Sequence, residues 1–171
     1  MIITGADILF GTDDDDVLAP EPVDYDTVIF GSAHGLAGDD VLIGSAAKDF
    51  LFGEDDDDVL LGRAGDDMLE GGAGEDVLKG GRGDDWLIGG EGQDWLKGGK
   101  GEDVFVVDFE EGPPDFIRDF KPGEDLLEIY TEKLDSVVIY DEETGRLTLD
   151  GETAAWLKPG LILTASDMDI W

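Results

Sequence analysis

Leucine returns at every ninth residue in the middle of this chain: Leu42, Leu51, Leu60, Leu69, Leu78, Leu87 and Leu96, with Phe105 in the same phase. Residues on either side of each are mostly apolar, and six residues rich in glycine and carboxylates separate one apolar triplet from the next. The triplets predict short strands of about 10 Å, in which the middle side chain points one way and its neighbours the other. The six-residue stretches, of GGxGxD type, predict tight turns, because glycine at positions 1, 2 and 4 allows positive φ.

Counted from Gly35, eight nine-residue units follow without an insertion and end at Val106. Position 1 is Gly in all eight, and position 6 is always Asp: Asp40, Asp49, Asp58, Asp67, Asp76, Asp85, Asp94 and Asp103. Position 4 is Gly in six, with Ala47 and Asp56 as departures. Turn, strand, turn, strand winds into a flat coil of two units. The expected fold is all-β: a right-handed parallel β-roll with two nonapeptides per coil and the position-8 side chains between two facing sheets.

The pattern decays on both sides. GTDDDDVLA, from Gly11, keeps the leading Gly, Asp16 and Leu18, and IITGADILF keeps Gly5, Asp7 and Leu9, but the phase is lost between Pro20 and His34, where EPVDYDTVI is a worn copy at best. Residues 1–34 read as an N-terminal cap with degenerate repeats, 35–106 as the repeat unit, and 107–171 as a β-rich C-terminal cap. In that cap VVIYDEETGRLTLDG alternates around Thr144-Gly145 as a hairpin would, and Pro113-Pro114 marks a turn into it.

The core alone does not account for such a fold. A buried leucine contributes roughly 1.5–3 kcal/mol, whereas ordering one backbone residue costs on the order of 1–2 kcal/mol. Charge opposes the fold further: 44 acidic and 11 basic residues among 171 give a net −33. Nucleic acid and anionic membranes need a basic footprint and are excluded as partners. Cysteine is absent, which removes disulfides and thiolate metal sites.

A hard divalent cation resolves the conflict. Stacked turns bring position-6 carboxylates together and aim carbonyl oxygens inward, and an all-oxygen shell suits Ca²⁺ better than Mg²⁺. The candidate ligands are the carboxylates of Asp16, Asp40, Asp49, Asp58, Asp67, Asp76, Asp85, Asp94 and Asp103. With them stand the turn carbonyls of Gly35, Gly53, Gly62, Gly71, Ala73, Gly80, Arg82, Gly89, Glu91 and Gly98. One ion between stacked turns gives about six or more Ca²⁺. Residues 35–106, with 19 acidic and 6 basic side chains, carry a compensating −13. The turns on Gly44 and Gly53 are expected to hold ions less well, because Ala47 and Asp56 replace the permissive glycine.

These units resemble the G-G-x-G-x-D-x-U-x nonapeptide of the RTX (repeats-in-toxin) calcium-binding β-roll family, most closely from Gly71 to Val106. The segment after the repeats resembles the one that follows RTX repeats in type I-secreted bacterial proteins, through Phe105, Asp115, Ile117, Asp119, Phe120, Gly123 and Asp125, as does the terminal LTASDMDIW. The resemblance implies folding on Ca²⁺ binding, export by type I secretion machinery through a C-terminal signal in 107–171, and an extracellular location. The opening MIITGADILFGTDDDD has no basic segment or long apolar run, so no cleaved N-terminal signal and no membrane insertion are expected.

No HExxH or GxSxG occurs, and no enzymatic role is assigned. The alternative is a Ca²⁺-dependent polysaccharide-binding accessory module of an alginate-modifying enzyme, against which the small number of basic residues argues. A phosphate cradle would need a Lys or a helix after the loop, and an EF-hand would need a Gly and a Glu that are absent. The runs Asp13–Asp16 and Asp55–Asp58 read as degenerate repeats, and His34 receives no role. Position 7 faces outward yet is apolar throughout: Phe50, Met68, Trp86 and Val104 on one sheet, and Val41, Val59, Val77 and Trp95 on the other. We expect the Phe50/Trp86 face to be covered by another segment of the chain or by a partner protein.

Overall fold

The computed structural model describes residues 8–18, 31–108, 113–130, 138–161, 163–164 and 167–170. Two sheets run its length. The first contains β1 (Ile8–Phe10), β3 (Gly31–Ala37), β5 (Asp49–Asp55), β7 (Met68–Ala73), β9 (Trp86–Glu91), β11 (Val104–Asp108), β13 (Leu126–Tyr130) and β17 (Met168–Ile170), adjacent in that order. The second contains β2 (Val17–Leu18), β4 (Val41–Ile43), β6 (Val59–Leu61), β8 (Val77–Arg82), β10 (Trp95–Lys100), β12 (Asp115–Ile117), β16 (Glu152–Trp156), β15 (Arg146–Leu149) and β14 (Val138–Asp141). The chain alternates between the sheets and every neighbouring pair from β1 to β13 is parallel, so the fold is the parallel β-roll that the nine-residue period predicts. Among the described residues no helix is long and apolar enough to cross a membrane.

Register follows the period. Leu51, Leu69, Leu87 and Phe105 align across one sheet, and Leu42, Leu60, Leu78 and Leu96 across the other. Most of these are 0 % exposed, and together they form one continuous core. Ile117 and Leu127 extend the two columns into the cap, in register with Leu96 and Phe105.

The strands are longer than the triplets suggest. From β7 to β10 each runs through positions 7, 8, 9, 1, 2 and 3, so half of the glycine-rich stretch is ladder. The glycines also divide differently from expectation. Positions 2 and 4 have positive φ, as in Gly72 (118°) and Gly83 (120°), whereas none of the position-1 glycines does. Position 1 is glycine because of crowding. A Cβ on Gly35, Gly53, Gly62 or Gly71 would collide with the Asp Oδ2 of its own repeat and lie 2.5–2.7 Å from the first-glycine carbonyl oxygen of the next coil.

At the N-terminal end a further coil is hidden. Ser32, Ala33 and His34 pair with Phe50, Leu51 and Phe52, so Ala33 stands in the leucine column and Gly31 where an Asp is expected. His34 lies on the outer face, stacked between Phe10 and Phe52 with centroids 5.1 and 4.7 Å away, and its Nδ1 is 2.8 Å from Glu54 Oε1. These contacts pack the imidazole into the outer face of the first sheet. EPVDYDTVI, Gly5 and Asp7 lie outside the described residues.

The C-terminal cap is β-rich as expected. The hairpin forms from β14 and β15 in antiparallel register, and β16 joins the meander to the roll by pairing with β12. On the outer faces, Phe50 and Trp86 each keep 37 % of their surface and Trp95 keeps 39 %, with neighbours in the same column shielding the rest.

Candidate metal centre

Position 6 builds two ladders of carboxylates, one along each edge of the roll. On one edge the N–H of Asp16 donates to Asp40 Oδ1, that of Asp40 to Asp58, Asp58 to Asp76, Asp76 to Asp94 and Asp94 to Asp115. On the other the series is Asp49, Asp67, Asp85, Asp103 and Asp125. All nine bonds are 2.5–3.1 Å long. The stacking of coils fixes each aspartate: its carbonyl accepts the position-7 N–H of the following coil, as Asp58 does from Val77 at 2.9 Å.

Each ladder therefore consumes one carboxylate oxygen and leaves the other. Seven Oδ2 atoms are buried without any hydrogen-bond partner: those of Asp40, Asp58, Asp67, Asp76, Asp85, Asp94 and Asp103. They lie beside the first glycine of their own repeat, and for Asp40, Asp58, Asp67 and Asp76 the carbonyl oxygen of the next coil's first glycine reaches the same place. Oxygens converge there with no donor between them. A buried charged oxygen without a partner is costly, and a hard cation with oxygen ligands would remove that cost. The donor set fits Ca²⁺: the carboxylate oxygens would carry the charge and the glycine carbonyls would supply an uncharged part of the shell.

Burial also pushes these carboxyls up from the ordinary aspartate range, to about 7 for Asp67, Asp76 and Asp85 and about 6 for Asp58, Asp94 and Asp103. Neighbouring carboxylates of the same ladder add to the effect, while the backbone hydrogen bond opposes it. Asp115, buried against Asp94, reaches about 7 as well.

The predicted ligands are not all equivalent. Asp16 and Asp49 stand in the ladders, but their Oδ2 atoms already accept hydrogen bonds from Thr12 and Ser45. The carbonyls of Arg82 and Glu91 accept the position-4 N–H of Gly65 and Gly74, which leaves one lone pair on each. Asp58 has the same free Oδ2 as its neighbours although its turn lacks the position-4 glycine; Asp56 adopts the positive φ of 76° itself.

Two features escape a nine-residue reading. Asp115 and Asp125 continue the ladders at offsets of 21 and 22 residues, because the intervening loops are longer. Their signal is the D-x-U triplet, Asp115-Phe116-Ile117 and Asp125-Leu126-Leu127, which mimics positions 6 to 8. The second is an outer ladder of opposite sense at position 5. Asp57 Oδ1 accepts the N–H of Glu75 at 2.7 Å, Asp66 that of Asp84 at 3.0 Å, and Asp84 that of Glu102 at 2.8 Å.

The sequence profile of the RTX calcium-binding nonapeptide repeat (4 copies) matches residues 4–19, 34–69 and 70–105. No curated protein matches the chain. Among solved structures, the solution structure of the AlgE6R3 subunit from the Azotobacter vinelandii mannuronan C5-epimerase is similar at 21 % identity and a TM-score of 0.42, over 93 % of this chain and 80 % of that one.

Proposed function

The chain belongs to the RTX calcium-binding nonapeptide repeat family, and from that premise we propose that it is a calcium-binding module that folds when Ca²⁺ fills its turns, after release through type I secretion machinery into extracellular surroundings. The observation that carries this reading is the set of seven buried carboxylate oxygens without partners. They raise the energy of the ion-free roll, and ions that bind only the folded chain draw it into the fold by mass action. Low calcium inside a cell keeps the chain open for export, and calcium near the 10⁻⁴–10⁻³ M affinities of extracellular modules closes it. On this reading 35–106 is the ion-binding roll, 1–34 its N-terminal cap, and 107–171 the cap that carries the export signal. The role is structural, with no catalytic one, and the half-exposed Phe50/Trp86 column is where a covering segment or a partner protein would lie.

Circular dichroism during a Ca²⁺ titration of the chelator-treated chain tests it. β-Structure is expected to appear cooperatively with Ca²⁺ and not with equal Mg²⁺. A chain equally folded in chelator overturns the proposal.

One observation favours the second reading, a module that holds an acidic polysaccharide. The basic residues are few but not scattered. Lys79 and Lys97 pair across β8 and β10, and Arg118 directly follows the neighbouring strand β12, with its guanidinium 3.9 Å from the Trp95 ring centroid. None forms an ion pair with a described carboxylate, and positions 7 and 9 of β4, β6, β8 and β10 hold no acidic residue. Cations repeating at the strand spacing of about 4.8 Å suit a linear polyanion. A polyuronate should then retard the calcium-loaded chain in affinity electrophoresis and leave a Lys79→Glu/Lys97→Glu variant unretarded; equal mobility of the two excludes this second role.

A further inference from the structure

The described turns of the roll are of two kinds, and position 2 separates them. Leu36, Glu54, Arg63, Gly72, Gly81, Gly90 and Gly99 occupy position 2 with φ between 76° and 119°. Their repeats are the same seven whose aspartate Oδ2 has no partner. Thr12 and Ser45 occupy position 2 of the remaining two repeats, and neither has positive φ. There the N–H and the hydroxyl both donate to Oδ2: Thr12 to Asp16 at 2.7 and 2.9 Å, and Ser45 to Asp49 at 2.6 and 2.9 Å. The same hydroxyl accepts the N–H of position 4, from Asp14 at 3.3 Å and Ala47 at 3.1 Å. The cap uses the device again, with the Thr164 N–H and hydroxyl 2.5 and 2.6 Å from Asp167 Oδ2.

We infer that a hydroxyl at position 2 closes its turn without calcium, so that Asp16 and Asp49 hold no ion while each of the seven unpartnered aspartates holds one. The inference rests on the calcium reading and refines it. Two donors on one oxygen give an ionised carboxylate the charge-assisted bonds that a cation supplies in the other turns, and the hydroxyl occupies the side from which an ion would approach. Placement gives the device a purpose. Asp16 and Asp49 lie in the first described turn on each edge, so each row of ions begins against a turn that is complete without one. At the far end of the second row Asp125 Oδ2 accepts the N–H of Lys121 at 2.8 Å, and Lys121 Nζ donates to the Gly99 carbonyl at 3.1 Å. There the protein supplies its own cation.

Ion counting on the full chain by native mass spectrometry, with calorimetric titration of CaCl₂, tests the inference. A Ser45→Gly/Ala47→Gly variant restores the GGxGxD turn and is expected to bind one ion more than the parent. Asp49→Asn is expected to bind the parent's number and Asp67→Asn one fewer. An unchanged count in the glycine variant, or one ion lost in Asp49→Asn, overturns the inference. The two variants alter the turn independently, so a folding defect in one leaves the other to decide. A parent that binds no calcium defeats the calcium reading itself, before any variant is compared.

Discussion

Gly71→Ala should cost the roll an ion and a large part of its stability, although it adds one methyl group. The methyl would overlap Asp76 Oδ2 and lie 2.6 Å from the Gly89 carbonyl oxygen. Both obstacles belong to the proposed cation site: the carbonyl is backbone, and the carboxylate is held by the Asp58 N–H at 2.8 Å. Either the carboxylate swings out or two coils separate. Overpacking alone costs about 1–3 kcal/mol, and the misplaced carboxylate adds the loss of its ion. In the calcium-loaded protein we expect a Tm lower by on the order of 5–10 °C, one fewer bound ion and a higher calcium midpoint. Arg82→Ala, at an exposed position 3 two residues from a first glycine, should leave all three unchanged. A Gly71→Ala protein with the parent's ion count and Tm would mean that position 1 is not crowded as described.

Acid should replace calcium in part. The inner carboxyls have folded-state values of about 6–7, above the ordinary 3.8. A raised value means that the folded chain binds more protons than the unfolded chain between those limits, so stability rises as pH falls from about 7 towards 3.8 and is level below it. In chelator, β-structure measured by circular dichroism is therefore expected to grow between pH 7.5 and pH 5. With calcium present the sign reverses, because protons and ions compete for the same oxygens, and the calcium midpoint should rise on acidification. Asp167 works against the first trend only at lower pH. Burial would raise it, but the Thr164 and Gly123 donors outweigh that and hold it below the ordinary range, so its contribution fades as pH falls through that range. A chelated chain as unfolded at pH 5 as at pH 7.5 would refute the view that buried charge keeps the ion-free roll open.

The leucine and aspartate columns were legible in the sequence because each depends only on the period. Coils of eighteen residues place like on like, so a repeat in sequence becomes a ladder in space. Other features follow distance rather than period. Nothing in a run of glycines distinguishes position 1, held by contact with the neighbouring coil, from positions 2 and 4, held by their own dihedral angles. Ser45 looked innocent beside Ala47, yet its hydroxyl decides the turn. Asp115 and Asp125 were visible as marks of a resemblance, but loops of unequal length hid them as rungs. Ala33 and Gly31 concealed a coil by replacing the two residues that define one.

The ladders also have a sense. Along the two inner edges each position-6 aspartate N–H finds its carboxylate acceptor on the coil that follows in sequence, and the last two acceptors, Asp115 and Asp125, lie outside the repeats. In these inner ladders the roll is thus a column of borrowers, in which every position-6 amide leans on the next coil and the closing segment ends the series. A chain severed after Val106 would keep all eight uninterrupted repeats, yet the amides of Asp94 and Asp103 would lose their carboxylate acceptors, and fraying would start from that end and travel towards the N-terminus.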